Sequence, residues 1–122
     1  MITAIVNPAS ADGKTARAWP EIQAAFEAEL GIVQVQFTKE RYHAADLTRQ
    51  AIHQGATTII AVGGDGTLNE VVNGLCEQSQ PLQGPKLAII LQGTGADFAR
   101  SWGTRSSISE IARSIRRYEF HP

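Results

Sequence analysis

The sequence predicts an α/β fold, a doubly wound parallel sheet in three layers. Two observations carry that expectation. Strand-like and helix-like stretches alternate along the whole chain. Two of the strand-like stretches, Thr58 to Val62 and Leu87 to Leu91, are apolar without alternation, as central parallel strands covered on both faces must be.

Each element follows from local chemistry. Ile2 to Val6 is a β-branched run stopped by Asn7-Pro8, because proline cannot donate to a ladder. After a small, polar stretch to Lys14, the residues Trp19, Ile22, Phe26 and Leu30 recur at helical spacing and Gly31 ends them, with Pro20 near the start of that helix or kinking it. Val33 to Phe37 alternates strictly, which suits an edge strand with one wet face. Ala44, Leu47, Ala51 and Ile52 form one helical stripe within 43–54, closed by Gly55. Leu68, Val71, Val72 and Leu75 mark a third helix, and 78–85 reads as a loop before the last central strand. Ile108, Ile111, Ala112 and Ile115 mark a final helix ahead of Tyr118-Glu119-Phe120. Right-handed crossovers predict a sheet in the order second, first, third, fourth strand.

Composition bounds the function. The 122 residues fit one domain, and 43% hydrophobic with 19% charged residues is ordinary for a globular core. A net charge of −1 argues against a dedicated nucleic-acid binder. Cys76 is the only cysteine, so an internal disulfide and a cysteine-based zinc site are excluded. The first residues carry no basic leader and no apolar run long enough to span a bilayer, which points to a cytoplasmic protein.

In an open α/β sheet, ligands bind beyond the carboxyl ends of the strands. The strongest signal there is Gly63-Gly64-Asp65-Gly66. Three glycines let the backbone turn tightly and bring its N–H groups against an anion at the positive end of the next helix. Asp65 beside phosphates requires a divalent cation between them, so Mg²⁺ is implied; the plainer alternative is a carboxylate complementing the helix dipole. Thr67-Leu68-Asn69-Glu70 also makes a good capping box for the third helix, so Thr67 and Glu70 have both a capping and a ligand-binding reading. Gln92 to Asp97 repeats the device with Gly93, Thr94 and Gly95. Asp97 is as consistent with an N-cap as with a catalytic role.

Other patterns carry less. Gly13-Lys14-Thr15 imitates the end of a P-loop, but Pro8 stands where that loop needs its first glycine. Asn69 likewise replaces the last glycine of a dinucleotide fingerprint. His43, His53 and His121 show no metal spacing, and Trp19, Trp102 and Phe98 read as packing residues.

The stretch Gly63 to Gly74, GGDGTLNEVVNG, resembles the signature of the diacylglycerol kinase catalytic domain. Asn7-Pro8 with Gly13-Lys14, Thr38 with His43-Ala44, and Gly93-Thr94 with Asp97-Phe98-Ala99-Arg100 resemble that family's other motifs, in the same order. Gln92 and Ala96 depart from it, standing where the family usually has Pro and Asn. The resemblance implies the nucleotide-binding half of a fold shared with sphingosine kinases, NAD kinases and phosphofructokinases. It implies transfer of the ATP γ-phosphoryl group to a lipid hydroxyl such as that of diacylglycerol. ATP would meet Asn7, Thr38, Gly63, Gly64, Asp65, Gly66, Thr67, Leu68, Asn69, Glu70, Gly93 and Thr94. Asp65 would serve the metal-phosphate centre as a catalytic and Mg²⁺-binding residue, Asp97 would be the second catalytic candidate, and Lys14 and Arg17 would lie near phosphates or a membrane surface.

The same resemblance implies a second, β-rich domain that supplies lipid-binding surface and the general base. No part of the 122 residues reads as that domain, so the chain is expected to be an N-terminal nucleotide-binding domain, inactive alone, with peripheral membrane contact through the whole enzyme. Tyr118 to Phe120 would open a strand of the other domain, and uncovered apolar surface would favour association between copies. The alternatives are an NAD kinase, with a similar glycine turn, and a nucleotide-binding module without catalysis.

Overall fold

The computed structural model describes residues 1–78, 86–91 and 113. In chain order the elements are β1 (Ile2–Val6), α1 (Lys14–Leu30), β2 (Gln34–Phe37), α2 (His43–His53), β3 (Thr58–Gly63), α3 (Asp65–Gln78) and β4 (Lys86–Leu91). The four strands are parallel and lie in the order β2-β1-β3-β4, as their alternation with helices requires. Of the predicted final helix only Arg113 is described, and it is helical; the second glycine loop and Tyr118 to Phe120 lie outside the described residues.

Strand periodicity splits the core in two. Ile2, Ala4 and Val6 of β1, with Ile60 and Val62 of β3, face α1 and pack on Trp19, Ile22 and Phe26. Ile5, Ile59 and Ala61 point the other way, against Ala44, Leu47 and Ala51 of α2 and Val71 of α3. Both faces of β1 and β3 are therefore covered, and every residue of these two strands is buried. Trp19 is a core residue, with its Nε1 buried and unpartnered.

Two helix starts and the burial of two strands differ from the sequence pattern: β4, whose apolar run reads as a central strand, ends the described sheet, with Leu87, Ala88 and Ile89 only half-buried. Helix α1 starts at Lys14 rather than near Trp19, which puts Pro20 well inside it. Pro20 is exposed, so water can serve the Ala16 carbonyl that loses its helical donor there. Helix α3 begins at Asp65, so Thr67 sits inside its first turn and cannot be its N-cap. On the edge strand β2, Val33 just before it is buried and Val35 half-buried, but Phe37 at its carboxyl end is 46% exposed, against the strict alternation.

Helices α2 and α3 lie unusually close at one point. A Cβ on Gly74 would come within 2.9 Å of the Ala45 carbonyl oxygen and 2.9 Å of Thr48 Cβ. The Thr48 hydroxyl is itself pinned by donating to the Ala44 carbonyl at 2.7 Å, so it cannot swing aside. Gly74→Ala should therefore force the helices apart, with an overpacking cost of about 1–3 kcal/mol. Urea unfolding of the variant and parent chains, compared at equal slope, checks this.

Candidate functional site

The carboxyl ends of β1, β2 and β3 meet at one edge of the sheet. The ladder continues past the strands there: Asn7 N–H donates to the Val62 carbonyl at 2.9 Å and Thr38 N–H to the Val6 carbonyl at 2.8 Å. Asn7 and Thr38 are thus fixed by backbone pairing before their side chains do anything.

After β1 the chain makes a tight turn. The Asn7 Oδ1 accepts the Ala9 N–H at 3.1 Å, and the Ser10 hydroxyl donates to the Asn7 carbonyl at 2.9 Å. Ser10 also bonds the hydroxyl of buried Thr15, tying the turn to α1. Ala11, Asp12 and Gly13 follow with φ of 55°, 54° and 84°, three left-handed residues in a row that reverse the chain into the helix. Lys14 and Arg17 emerge exposed from that start.

After β3 the chain enters α3 directly through Gly64, whose carbonyl accepts the Leu68 N–H at 3.1 Å. The N–H groups ahead of Leu68 consequently have no helical acceptor, and they carry the positive end of the helix dipole. Gly63 is needed for a close approach: a Cβ there would lie 2.6 Å from Thr67 Oγ1 and 3.2 Å from Asn7 Cβ. The space it leaves lets Asn7 Nδ2 donate to Thr67 Oγ1 at 3.2 Å, joining the first loop to α3.

A cavity of about 310 Å³ opens between these parts. Five of the residues singled out in the sequence line it: Asn7, Thr38, Gly66, Thr67 and Glu70. Nothing lies within 4 Å of a Cβ built on Gly66, so that side of the turn is open. Asp65 is an exposed carboxylate in the first turn of α3, and Asn69 is exposed without lining the cavity. The Leu68 side chain packs against the α2-side core, which leaves only its backbone for a ligand. Gly93, Thr94 and Asp97 lie outside the described residues.

The sequence reading missed the outer wall, formed by Lys39, Glu40 and Arg41 between β2 and α2. The Lys39 N–H donates to His43 Nδ1 at 2.9 Å, so His43 closes this loop rather than standing idle on a helix surface. The Arg41 guanidinium lies 5.6 Å from the centre of the Tyr42 ring. Only the short polar run between two predicted elements marked this wall, and such runs are usually plain connections.

The capping box fails as a local motif. Thr67 bonds Asn7, and Glu70 Oε1 accepts the N–H of Ala44, in α2, at 3.2 Å. Among the described residues no three His, Cys, Asp or Glu side chains converge as metal ligands. Asp65 alone still suits Mg²⁺, which commonly takes one or two carboxylates and completes its shell with phosphate oxygens and water.

Gly63→Ala should push Thr67 away from Asn7, since the new methyl group meets Thr67 Cβ at 2.9 Å and not a flexible tip. A loss of about 1–3 kcal/mol in unfolding free energy is expected, with amide shifts centred on Asn7 and Thr67. A variant with unchanged stability and an unchanged Asn7 side-chain amide signal would contradict this account of the turn.

Comparison with known proteins places this geometry. Residues 1–122 match the diacylglycerol kinase catalytic domain family. A diacylglycerol kinase of Staphylococcus haemolyticus is 40% identical over 105 residues, covering 85% of this chain and 31% of that protein. One from Staphylococcus aureus strain MRSA252 is 38% identical over 98 residues, covering 80% of this chain and 30% of its own length. A crystal structure of a diacylglycerol kinase from Bacillus anthracis superposes with a TM-score of 0.72 at 32% identity, covering 96% of this chain and 42% of that one. The fold is the NAD kinase-like α/β fold expected from the sequence, and the chain spans about a third of the curated relatives it matches. With its glycine turn, its Asn7 loop and its strand order all in place, the chain belongs to the diacylglycerol kinase catalytic domain family.

Proposed function

We propose that this domain holds Mg-ATP for a lipid kinase that transfers the γ-phosphoryl group to a lipid hydroxyl, such as that of diacylglycerol. One observation carries the reading above the rest. The open turn at Gly66 sits at the positive end of α3 and faces a cavity bounded by Asn7 and Thr38 from the two neighbouring strand ends. Unpaired N–H groups at a helix start bind phosphate oxygens, and hydroxyl and amide side chains around them orient the rest of a nucleotide.

Asp65 would hold Mg²⁺, which supplies charge neutralisation between the β- and γ-phosphates when bound. The lipid oxygen forms a bond to the γ-phosphorus as the bond to the β-phosphate oxygen breaks, and the hydroxyl proton passes to a base. That base belongs to a second, β-rich domain in this reading, and Asp97 is this chain's second catalytic candidate beside Asp65. Phosphoryl transfer depends on positioning and on charge stabilisation around the γ-phosphate, so the domain by itself binds nucleotide and turns over no lipid. Lys14 and Arg17, exposed at the start of α1, are suited to an anionic lipid surface. Among the described residues no helix is long and apolar enough to cross a membrane.

Titration with Mg-ADP should shift the amides of Gly66, Thr67 and Thr38 first. Asp65→Asn should weaken binding about tenfold in the presence of Mg²⁺ and far less in its absence, with little change in melting temperature. Shifts confined to other regions, or equal weakening with and without the metal, would overturn the assignment. Parallel assays of the full-length gene product with diacylglycerol and with NAD as acceptors separate the lipid kinase from an NAD kinase. Turnover of neither acceptor would favour a module that binds nucleotide without catalysis.

A further inference from the structure

We infer that Glu70 is a positioning residue: its carboxylate caps α2 from a different helix and thereby fixes the Thr38–Arg41 wall of the cavity. This rests on the nucleotide reading above for its functional meaning, while the contact itself stands apart from it. Helix α2 has no cap of its own. Its N-cap residue is Tyr42, in a left-handed conformation with φ of 68° and with no side-chain hydrogen bond to the helix. The His43 N–H reaches the Glu40 carbonyl at 3.3 Å, and the next donor of the first turn, the Ala44 N–H, needs an acceptor from elsewhere. Ala44 is 1% exposed and borders the cavity, and its N–H is taken up by the Glu70 carboxylate.

Glu70 meets that need across 26 residues of sequence, and its negative charge lies at the positive end of the α2 dipole. One turn further along α3, Gly74 presses on Ala45 and Thr48 of the same helix. Glu70 and Gly74 are four residues apart and share a face, so α3 grips the first turns of α2 at two points. The wall hangs from this grip. His43, the first residue of α2, receives the Lys39 N–H, and Thr38 is paired to β1.

The charge balance favours the same role. A carboxylate turned toward phosphate oxygens repels them unless a cation intervenes, whereas one engaged by a helix N-terminus already has its charge compensated. Glu70 lines the cavity, and its Oε1 is held by the Ala44 N–H. Its contribution to nucleotide binding is then indirect, through the placement of Thr38 to Arg41.

Glu70→Ala and Glu70→Gln in the full chain test this, with amide hydrogen exchange, Mg-ADP titration and melting temperature measured on each. The alanine variant should raise exchange at Ala44 about tenfold or more and weaken Mg-ADP by a similar factor. Glutamine retains an oxygen that can accept the same N–H, so it should recover most of both losses. Unchanged Ala44 exchange in the alanine variant would overturn the proposal. So would a glutamine variant that keeps Ala44 protected yet binds Mg-ADP as weakly as alanine, because the carboxylate would then be touching ligand or metal. If the alanine variant does not fold, the glutamine variant decides alone by the same two readouts. If the parent chain binds no Mg-ADP, the proposed function fails while Ala44 exchange still judges the cap.

Discussion

The register between β1 and β3 governs the rest of the molecule. Val6 pairs with Val62, so Asn7 and Gly63 emerge side by side at the sheet's carboxyl edge. The same register sends Ile2, Ala4 and Val6 toward α1 and Ile5 toward α2 and α3. A slip of one residue along β1 would turn each of these side chains to the wrong layer, so the two-sided core holds the register in place. Burial far from the cavity is what aligns the asparagine of one loop with the glycine turn of the next. Thr67 then links them, and its place depends on the absence of a side chain at Gly63.

Much of this could be read from the sequence, because parallel strands buried on both faces leave an unmistakable apolar run. The order of all four strands, the burial of β1 and β3, the edge position of β2 and the core role of Trp19 follow from periodicity and crossover handedness, whereas β4, whose apolar run reads as a central strand, ends the described sheet and is mostly half-buried. Helix starts were harder. The sequence gives α1 no side-chain cap, because three left-handed residues turn the chain into it, and backbone reversals of that kind are invisible to hydrophobic patterning. Helix α3 begins at Asp65 because Gly64 takes the place that Thr67 fits by local pattern.

The residues least legible were those whose partners lie far along the chain. Glu70 has the spacing of a reciprocal cap within its own helix, yet its acceptor oxygen serves α2. Local motif logic identified a group suited to bonding a helix N-terminus and chose the wrong helix. The Lys39 to Arg41 wall was missed for a related reason: only the fold brings it opposite Thr67 and Gly66. Family resemblance marked Thr38 and His43 on either side of that wall, but it did not state that His43 closes the loop between them.

The left-handed turn at Ala11, Asp12 and Gly13 bears on how this protein can drift over generations. Alanine or aspartate in that conformation costs about 1–2 kcal/mol relative to the ordinary helical region. Glycine would relieve the strain, yet it adds about 0.5–1 kcal/mol of backbone entropy to be lost on folding. The strain is about twice the entropic cost, so glycine at position 11 or 12 would leave the fold more stable by roughly 0.5–1 kcal/mol. The side chains at these two positions are therefore held at a cost in stability, and the first loop is a place where sequence change can strengthen the fold without touching the sheet beneath it.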